Sequence, residues 1–489
     1  MSKIITILGS GFSSLSAACY LAKEGNQVTV YEKNKLFGGR AQQLKANGFT
    51  FDMGPTWYWM PDVFERFFSD FGKNSADYYI LQRLDPGYQV YFGAGDSVCI
   101  SSDLDEIYKL FESEEKGSAK QLEEFLKKAE SNYNVAVKDL VYRPGISPLE
   151  LITPKTITKL NQLFHSIRKQ VKNKFTNPRL TKILEFPVLF LGAKPADTPG
   201  MYNFMNWADF GLGTWHPSGG MFEVVKGLVS LAEELGVKLV SNAEAQQIKV
   251  NKQGLATHII VNGKACKTDI ILSGADYHHT EQLLEPQYRQ YSEKYWGKRK
   301  FAPSSLLFYV GFDKKIQNIS HHTLFFDTEF DSHAEYIYDT PEWPKEPLFY
   351  ASFPSKTDSA FAPIGQESAT FLIPIAIGIK DNDEIRNRYF DLIIERLEKL
   401  TNQKLKEHII YMKSYCIKDF IKDYNSYKGN AYGLANTLRQ TAFMRPKIKS
   451  KKVDNLFFTG QLTVPGPGVP PALISGKIAS ESIRKKIEL

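Results

Sequence analysis

The sequence has 489 residues, of which 43% are hydrophobic and 24% charged, and its net charge is +7. A hydrophobic fraction of this size excludes an intrinsically disordered chain, and the length allows about two or three domains. The positive charge is too small and too evenly spread to indicate a nucleic-acid-binding protein, but it is compatible with an anionic membrane surface. No apolar run approaches the ~20 residues that a membrane-spanning helix needs.

The N-terminal segment predicts a βαβ unit. Residues 4–8 are apolar and β-branched, which is typical of a buried parallel strand, and residues 28–31 repeat this pattern. Between the two, apolar residues recur at helical spacing from Leu15 to Ala22. A glycine-containing turn, residues 9–14, joins the first strand to this helix.

The turn and the end of the second strand together indicate a dinucleotide site. Gly9 allows a tight turn, and Gly11 lets a pyrophosphate approach the amides at the start of the helix. Glu32 ends the second strand, where a carboxylate accepts hydrogen bonds from an adenosine ribose and repels the 2′-phosphate of NADP. Ser14 replaces the third glycine of this pattern, and a small residue still permits close helix–strand packing. A chance glycine turn is the alternative interpretation.

A second glycine segment, Gly38, Gly39 and Arg40, follows Glu32 and precedes residues 47–56. Two glycines and an arginine at this place are similar to the extension found in flavoprotein amine oxidases, which favours FAD over NAD. A surface hairpin with turn glycines explains the same spacing. Both interpretations stay open on these residues alone.

Aromatic residues are concentrated directly after this segment. Trp57, Tyr58 and Trp59 form a cluster beside the expected flavin. The phenylalanines that follow recur at helical spacing, which favours a core-facing helix over a ligand wall; they are Phe64, Phe67, Phe68 and Phe71. Residues 88–92 and 97–100 predict a hairpin around a Gly-Ala-Gly-Asp turn, and this hairpin would begin a second, sheet-based domain.

Residues 103–184 predict a mainly helical segment whose charge changes sign along its length. Its first part is acidic, and residues 154–179 are basic, with apolar positions on one helical face. A basic amphipathic helix can lie in a membrane interface, so we expect a membrane-associating lobe here. An ordinary solvated helix is the alternative.

Strand patterns return after residue 237. We expect short strands at 237–240, 245–250, 257–261 and 270–272, and more strands between 301 and 375, including one at 336–338. A charged amphipathic helix is expected over 381–400. The C-terminus repeats the arrangement of strand, glycine turn and helix, at 455–461, 465–472 and beyond. The resulting domain prediction is a discontinuous FAD-binding domain (1–75, 218–290 and 440–489), a substrate-binding domain (76–102, 186–217 and 291–439) and a helical lobe (103–185).

The four cysteines are far apart and form no C-x-x-C pair. This spacing predicts a reducing compartment, with no disulfide and no metal site. The first strand begins within a few residues of Met1, so no signal peptide is expected. The expected location is the cytoplasmic side of a membrane, with peripheral, monotopic association.

Taken together, the motifs resemble the phytoene desaturase family of FAD-dependent carotenoid desaturases and isomerases over nearly the whole chain. The resemblance is carried by the glycine turn, Glu32, G-G-R at 38–40, F-D-M-G-P-T at 51–56, F-L-G-A at 190–193, S-G-G-M at 218–221, S-G-A-D at 273–276 and T-G-Q-L-T-V-P-G-P-G-V-P-P-A at the C-terminus. It implies an α/β fold with a Rossmann-like FAD-binding domain of the amine oxidase/phytoene desaturase type. Gln461 departs from the family, whose members often have a small or acidic residue there.

The resemblance also implies the residues that contact FAD. They are Gly9, Gly11, Phe12, Ser13, Glu32, Lys33, Gly39, Arg40, Gly54, Pro55, Thr56, Ala245, Gly460, Gln461, Gly468, Val469 and Pro470. No catalytic acid–base pair is evident, and Asp139 and Arg143 are the candidate polar groups near the substrate tunnel. His278 and His279 follow a predicted strand end, which favours a packing role.

The implied reaction is the insertion of a C=C bond into an acyclic carotenoid by hydride transfer to flavin, with a 1-hydroxycarotenoid 3,4-desaturase favoured. Such chemistry needs position and an apolar tunnel more than a strong acid–base pair, since the cofactor performs the difficult step. The implied partners are a polyene substrate, a membrane surface and an electron acceptor such as quinone or oxygen. The alternatives are a phytoene desaturase, a carotenoid isomerase, a flavin amine oxidase and a non-enzymatic lipid-binding escort protein.

Overall fold

The computed structural model describes residues 2–151, 165–437 and 439–488. The N-terminal βαβ unit forms as predicted: strands Ile4–Leu8 and Gln27–Tyr31 flank the helix Phe12–Lys23. Gly9 donates its amide to the carbonyl of Tyr31 at 2.8 Å, so the turn is tied to the end of the second strand.

A parallel five-stranded sheet is built from segments that are distant in the sequence. In spatial order its strands are Leu456–Phe458, Ile270–Ser273, Ile4–Leu8, Gln27–Tyr31 and Lys238–Val240. Ile7 lies between Leu272 and Val30 in this sheet and is fully buried. Ile4–Leu8, Ile270–Ser273 and Leu456–Phe458 are buried on both faces, and such parallel strands appear in a sequence as continuous apolar runs.

A second, seven-stranded sheet carries the other half of the molecule. In spatial order its strands are Ile409–Tyr415, Ser304–Phe312, Glu367–Ile375, Phe349–Ser352, His322–Phe325, Tyr88–Gly93 and Asp96–Ile100. The last two are the predicted hairpin, and they pair antiparallel. Smaller sheets comprise Ala245–Val250, Ala256–Val261 and Lys264–Lys267; Gln43–Ala46 and Phe49–Asp52; and Leu81–Arg83 and Trp215–Pro217.

The described residues also form α-helices, which lie between and after the strands along the chain. They span Phe12–Lys23, Pro61–Ser69, Leu104–Glu114, Ser118–Ala136, Ile167–Lys172, Pro178–Glu185, Phe204–Asn206, Met221–Glu234, Tyr277–Gln282, Glu293–Gly297, Phe330–Tyr338, Asp383–Thr401, Ile417–Tyr424 and Val469–Glu488. A π-helical turn covers Trp207–Gly211. In the part of the chain that the structure describes, none of the helices combines the length and the apolar character needed to span a bilayer.

The fold confirms the predicted Rossmann-like α/β class and corrects two local predictions. Residues 336–338, predicted as a strand, end the helix Phe330–Tyr338, because Phe330, Ala334 and Ile337 turn one helical face toward the cavity described below. The basic segment is not one continuous helix in its described part, since residues 173–177 separate two short helices. Residues 152–164 of that prediction lie outside the described residues. The domain boundaries stay a prediction, because strand pairing does not fix where a domain ends.

The phenylalanine stripe of the helix Pro61–Ser69 belongs to the core. Phe64 stacks on Tyr58 at a centroid distance of 4.2 Å, and Phe68 stacks on Tyr78 at 4.8 Å. The side chains of Phe64, Phe67 and Phe68 are at most 3% exposed and do not line the cavity. The core interpretation of this stripe was therefore the right one.

Candidate cofactor and substrate cavity

A cavity of about 490 Å³ lies between the parallel sheet and the seven-stranded sheet. One end is formed by the glycine turn, Glu32 and the 243–245 segment. The other end is walled by side chains from the seven-stranded sheet and from the helix Phe330–Tyr338. Ligands of open α/β sheets bind outside the carboxyl ends of the strands, and the first end of this cavity has that position.

Every residue that the resemblance assigns to FAD lines this cavity. They are Gly9, Gly11, Phe12, Ser13, Glu32, Lys33, Gly39, Arg40, Gly54, Pro55, Thr56, Ala245, Gly460, Gln461, Gly468, Val469 and Pro470. The fold thus brings together segments from both ends and the middle of the chain. Their individual contacts with the cofactor stay predictions.

The glycine turn has the shape that a pyrophosphate requires. Gly9 has φ +79°, a conformation that L side chains rarely adopt. Gly11 has an ordinary φ of −66°, yet a Cβ placed there would meet no protein atom within 4 Å, because it would point into the cavity. Ser14 packs against Gly274, where a Cβ would overlap Ser14 Oγ. Gly274 therefore supplies the space that Ser14 takes up in place of the usual third glycine.

Glu32 is held rigidly at the end of the second strand. Its carboxylate is 4% exposed and accepts hydrogen bonds from the amide and hydroxyl of Ser10, at 3.0 and 2.7 Å, and from the amide of Asn34 at 2.9 Å. Fixed donors of this kind orient the carboxylate at the cavity wall, where it suits a ribose diol.

Arg40 supplies a buried positive charge beside the glycine turn. Gly39, with φ +59°, lies so close to the turn that a Cβ on it would be 3.0 Å from Gly11 Cα. Arg40 donates from Nη2 to the carbonyl of Asn430 at 3.2 Å, while its Nε has no partner among the described residues. Burial lowers the pKa of the guanidinium, which faces the ring of Tyr424 at 5.3 Å. A buried cation with an unused donor at the cavity wall fits an anionic diphosphate, so these residues suit FAD.

The second glycine turn closes the cavity from the C-terminal side. The amide of Gly460 donates to Ser475 Oγ at 2.9 Å, and the helix Val469–Glu488 begins directly after Gly468. Pro470 and Pro471 have no N–H, so this helix start offers fewer donors to a ligand than the sequence pattern indicates. When the side-chain amide of Gln461 is oriented so that its oxygen and its nitrogen both have hydrogen-bond partners, the oxygen accepts from Arg40 Nη2 at 3.1 Å. This contact gives the polar side chain of Gln461 a partner beside the glycine turn.

Two further motifs support residues 54–56, which we call the flavin segment. Asp52 is buried and accepts from the amide of Met221 at 2.8 Å, which joins F-D-M-G-P-T to S-G-G-M. Burial raises the pKa of Asp52 to about 6, against the lowering effect of that amide. A Cβ on Gly220 would overlap the Asp52 carboxylate, so the glycine allows this approach. The contact fixes the position of residues 54–56 at the cavity.

The far end of the cavity is apolar and aromatic. Its wall includes Trp57, Trp59, Phe186, Leu189, Met205, Leu324, Phe326, Phe330, Ile337, Tyr338 and Leu348. The charged group there among the described lining residues is Lys194, which is paired with Asp339. The lining carboxylates, Glu32, Glu244, Asp276 and Asp423, belong to the glycine-turn end. The aromatic end therefore suits an uncharged, apolar substrate.

A polar contact at the junction of the two ends was missed by the sequence analysis. Tyr350 lines the cavity, and its hydroxyl is 2.8 Å from Thr56 Oγ1 and 2.7 Å from His322 Nδ1. Trp57 stacks on the His322 ring at a centroid distance of 4.1 Å. Thr56 and Tyr350 are 294 positions apart in the sequence. No local pattern could indicate their contact.

The other candidate polar residues lie away from the aromatic end. Arg143 and Asp139 form an ion pair with each other at 3.1 Å, and neither lines the cavity. This placement gives no support to their predicted catalytic role. His279 lines the glycine-turn end and lies 3.1 Å from Asn425, and His278 is 2.8 Å from Glu293. The interpretation of both histidines as packing residues agrees with these contacts.

Comparison with known proteins gives full-length matches. The sequence profile of the family described as "Flavin containing amine oxidoreductase" matches residues 12–484. The chain is 42% identical over 487 residues to the carotenoid 3,4-desaturase of Haloarcula japonica, covering 99% of this chain and 98% of that protein. It is 32% identical to the 4,4'-diapophytoene desaturase (4,4'-diaponeurosporene-forming) of Staphylococcus haemolyticus, covering 99% of each chain.

Solved structures share the fold at low sequence identity. Putrescine oxidase bound to putrescine superposes with a TM-score of 0.60 at 14% identity, covering 99% of both chains. A CLA-producing fatty acid isomerase from P. acnes superposes with a TM-score of 0.60 at 12% identity, covering 99% of this chain and 98% of that one. With the family profile spanning nearly the whole sequence and a cavity that fits FAD, the chain is an FAD-dependent oxidoreductase that belongs to the flavin containing amine oxidoreductase family.

Proposed function

We propose that this protein is an FAD-dependent carotenoid desaturase that inserts a carbon–carbon double bond into an acyclic carotenoid, with 1-hydroxycarotenoid 3,4-desaturation as the favoured reaction. The observation that carries the proposal is the continuation of the cofactor site into an aromatic cavity end, where the described lining residues include no carboxylate. The 42% identity to a carotenoid 3,4-desaturase supports the favoured reaction, and the diapophytoene desaturase supports the wider class.

The chain's own residues contribute position and a dry, apolar environment. FAD, when bound, supplies the hydride acceptor. The substrate's conjugated system spreads the positive charge that remains after hydride loss, and the aromatic rings of Trp57 and Phe326, which line this end, supply π electrons near it. Thr56, at the end of the flavin segment, is followed directly by Trp57, so the reacting carbons and the cofactor would meet there. Excluding water at this place protects the cation from hydration.

The cavity argues against two of the alternatives. An amine oxidase binds a cationic substrate, and the described residues of the aromatic end offer no carboxylate to pair with it. A lipid-binding escort protein has no need for a buried arginine with an unused donor at the glycine turn. A carotenoid isomerase would use the same cavity, so it must be separated by experiment.

The test is anaerobic mixing of the FAD-loaded protein with carotenoids in liposomes. We expect a 1-hydroxylated acyclic carotenoid to bleach the flavin and to give a product that absorbs at longer wavelength, because one more double bond extends the polyene. A carotenoid whose 3,4-bond is already double is the matched control and should leave the flavin oxidised. Cis–trans conversion without a change in hydrogen count would indicate an isomerase instead. Bleaching by amines alone would refute the proposal. Repeated turnover with added quinone or with oxygen would identify the electron acceptor.

We also propose that the protein associates peripherally with a membrane surface on the cytoplasmic side, where a carotenoid substrate is available. The support comes from exposed apolar side chains, Ile146 at 72% and Leu149 at 71% exposure, and from the exposed Lys169 and Lys172 of the basic segment. Other residues of the predicted amphipathic helix make contacts within the protein and are not available to a membrane. Ile167 and Val171 are in the core, and Arg168 pairs with Glu185 and Asp331 at 2.9 and 2.7 Å.

The double variant Lys169→Glu, Lys172→Glu tests this association. Each lysine near an anionic surface contributes about 1 kcal/mol, so losing both positive charges should weaken binding to anionic liposomes by about 30-fold, and the two added negative charges should make the loss larger. The loss should be larger at low salt than at high salt. The control variant Lys264→Glu, Lys267→Glu makes the same change on the three-stranded sheet and should bind normally. Equal sedimentation of all three proteins would contradict the proposed contact.

A further inference from the structure

A hydrogen-bonded chain of three side chains leads from the cavity into the protein interior. Thr56 Oγ1 is 2.8 Å from the Tyr350 hydroxyl, and that hydroxyl is 2.7 Å from His322 Nδ1. Tyr350 keeps accessible surface toward the cavity, whereas His322 is fully buried behind it. The chain therefore begins where the flavin segment meets the aromatic end.

His322 is held in an environment that keeps it neutral. Trp57 covers one face of its ring at 4.1 Å, and the His321 ring lies 4.4 Å away. Burial lowers the pKa of His322 well below its usual value, and His216 acts in the same direction. His216 itself contacts Asp358 at 3.1 Å, and the neighbouring His321 bonds to Thr357. Burial therefore disfavours the protonated, charged form of this imidazole.

The two ring nitrogens of His322 differ in their hydrogen bonding. Its Nε2 is buried and has no hydrogen-bond partner among the described residues. Packing histidines are mostly paired at both nitrogens, whereas the hydrogen bond of the His322 ring is the one between Nδ1 and the Tyr350 hydroxyl. His333, which also lines the cavity, makes a contrast: Nε2 is 2.7 Å from the Pro374 carbonyl and Nδ1 accepts from Leu348 at 2.9 Å. Both nitrogens of His333 are satisfied, which marks it as a packing residue.

We propose that Tyr350 is the catalytic residue that takes the proton from the substrate, and that His322 positions its hydroxyl and receives the phenolic proton. This proposal deepens the proposed function and rests on it. After hydride loss, the C–H bond on the neighbouring carbon breaks, and its electron pair becomes the new π bond. The proton goes to Tyr350 Oη, and the proton already on Oη moves to His322 Nδ1. No further oxidant is needed, because both electrons have already left with the hydride to the flavin.

A weak base is sufficient for this step. A proton next to a carbocation is strongly acidic, so a neutral imidazole acting through a phenol can accept it. The buried imidazolium that results is unfavourable, because burial penalises the charged form. The proton therefore returns through Tyr350 to water as the product leaves, and the pair is reset for the next turnover.

The test compares Tyr350→Phe and His322→Asn with the wild type, using substrates deuterated separately at the two reacting carbons. Asparagine keeps an acceptor near the Nδ1 position but does not take up a proton, so it preserves a purely structural contact. We expect product formation to fall about 100-fold in both variants, as for the loss of general base catalysis. The isotope effect at the proton-losing carbon should rise above that of the wild type, and FAD stoichiometry should stay unchanged. His408→Asn, at a partly exposed position outside the cavity lining, is the control and should keep wild-type kinetics.

A measurement that needs no turnover complements the kinetics. ¹⁵N NMR of the histidine-labelled, flavin-loaded protein, with His322 assigned through the Asn variant, should find His322 neutral, with Nδ1 unprotonated and accepting from Tyr350. A proton on Nδ1, or wild-type isotope effects in Tyr350→Phe, would overturn the proposal. Failure of the wild-type protein to oxidise any carotenoid would instead refute the proposed function, so the two failures are distinguishable.

Discussion

Replacing Gly11 by alanine should weaken FAD binding without harming the folded protein. Gly11 has φ −66° and ψ 172°, which alanine adopts freely, and the added Cβ meets no protein atom within 4 Å. As the residue that caps the helix Phe12–Lys23, glycine is preferred to alanine, which costs ~0.5–1 kcal/mol. Alanine offsets this by lowering the entropy of the unfolded chain, a gain of ~0.4–1 kcal/mol. The free energy of unfolding without FAD should therefore change by less than about 0.5 kcal/mol.

The effect appears only when the cofactor is present. The methyl group fills the place that we assign to the diphosphate, and adding a methyl group to a well-packed site typically costs 1–3 kcal/mol. At 1.4 kcal/mol per factor of ten, the Kd for FAD should rise about 5- to 150-fold. The thermal stabilisation that FAD gives at a fixed concentration should fall accordingly.

Quenching of FAD fluorescence during reconstitution of the apoprotein measures this Kd directly, and a thermal melt without FAD checks the fold. Gly297→Ala is the matched control, since Gly297 also has open space around its Cβ and an ordinary φ, but lies outside the cavity lining. Wild-type FAD affinity in a normally folded Gly11→Ala protein would place the diphosphate elsewhere. Gly468 is less suitable for this test, because its φ of +116° makes any side chain strained with or without FAD.

Three more predictions concern charge and cavity shape. Burial raises the pKa of Asp209 to about 8 from its ordinary 3.8, so between these pH values the folded protein holds a proton that the unfolded chain releases. The free energy of unfolding should therefore fall as pH rises from 4 to 8, by up to about 1.4 kcal/mol per pH unit. Chemical denaturation of Asp209→Asn should show a smaller fall. Arg40→Met removes a charge-assisted bond worth ~1.5–3 kcal/mol, so FAD titration should give a Kd raised about 10- to 150-fold, and an unchanged Kd would contradict the diphosphate assignment. Leu324→Trp should narrow the aromatic end and raise KM for carotenoids about tenfold or more while leaving FAD affinity intact; an equal loss of FAD would mean that the two ends are not separate.

The local parts of the cofactor site could be predicted because they are encoded by neighbouring residues. A strand, a glycine turn and a helix lie within residues 4–23, and the carboxylate of Glu32 ends the next strand. The structure also places the second glycine turn at the same cavity, although Pro470 and Pro471 leave it fewer donors. The prediction of a strand at 336–338 was wrong, because a short apolar run fits a strand and a buried helix end equally well.

Other features depended on contacts between distant segments. The basic segment has the composition of an interfacial helix, but Ile167 and Val171 face the core and Arg168 pairs with Glu185, which no local pattern reveals. Asp139 and Arg143 were chosen by their chemistry, and the fold pairs them with each other outside the cavity lining.

By itself, the sequence determined the fold class and the dinucleotide site, because turn glycines, strand ends and helix starts act over a few residues. The assignment of FAD came from the resemblance of the motifs to a known family. Only the tertiary structure decided how the flavin segment meets the substrate end. Thr56, Tyr350 and His322 come from three separate segments, and their hydrogen bonds exist because the seven-stranded sheet places His322 and Tyr350 on adjacent strands against the loop that follows Gly54. Such a contact is fixed by strand pairing and packing over hundreds of residues, which single-residue patterns do not contain.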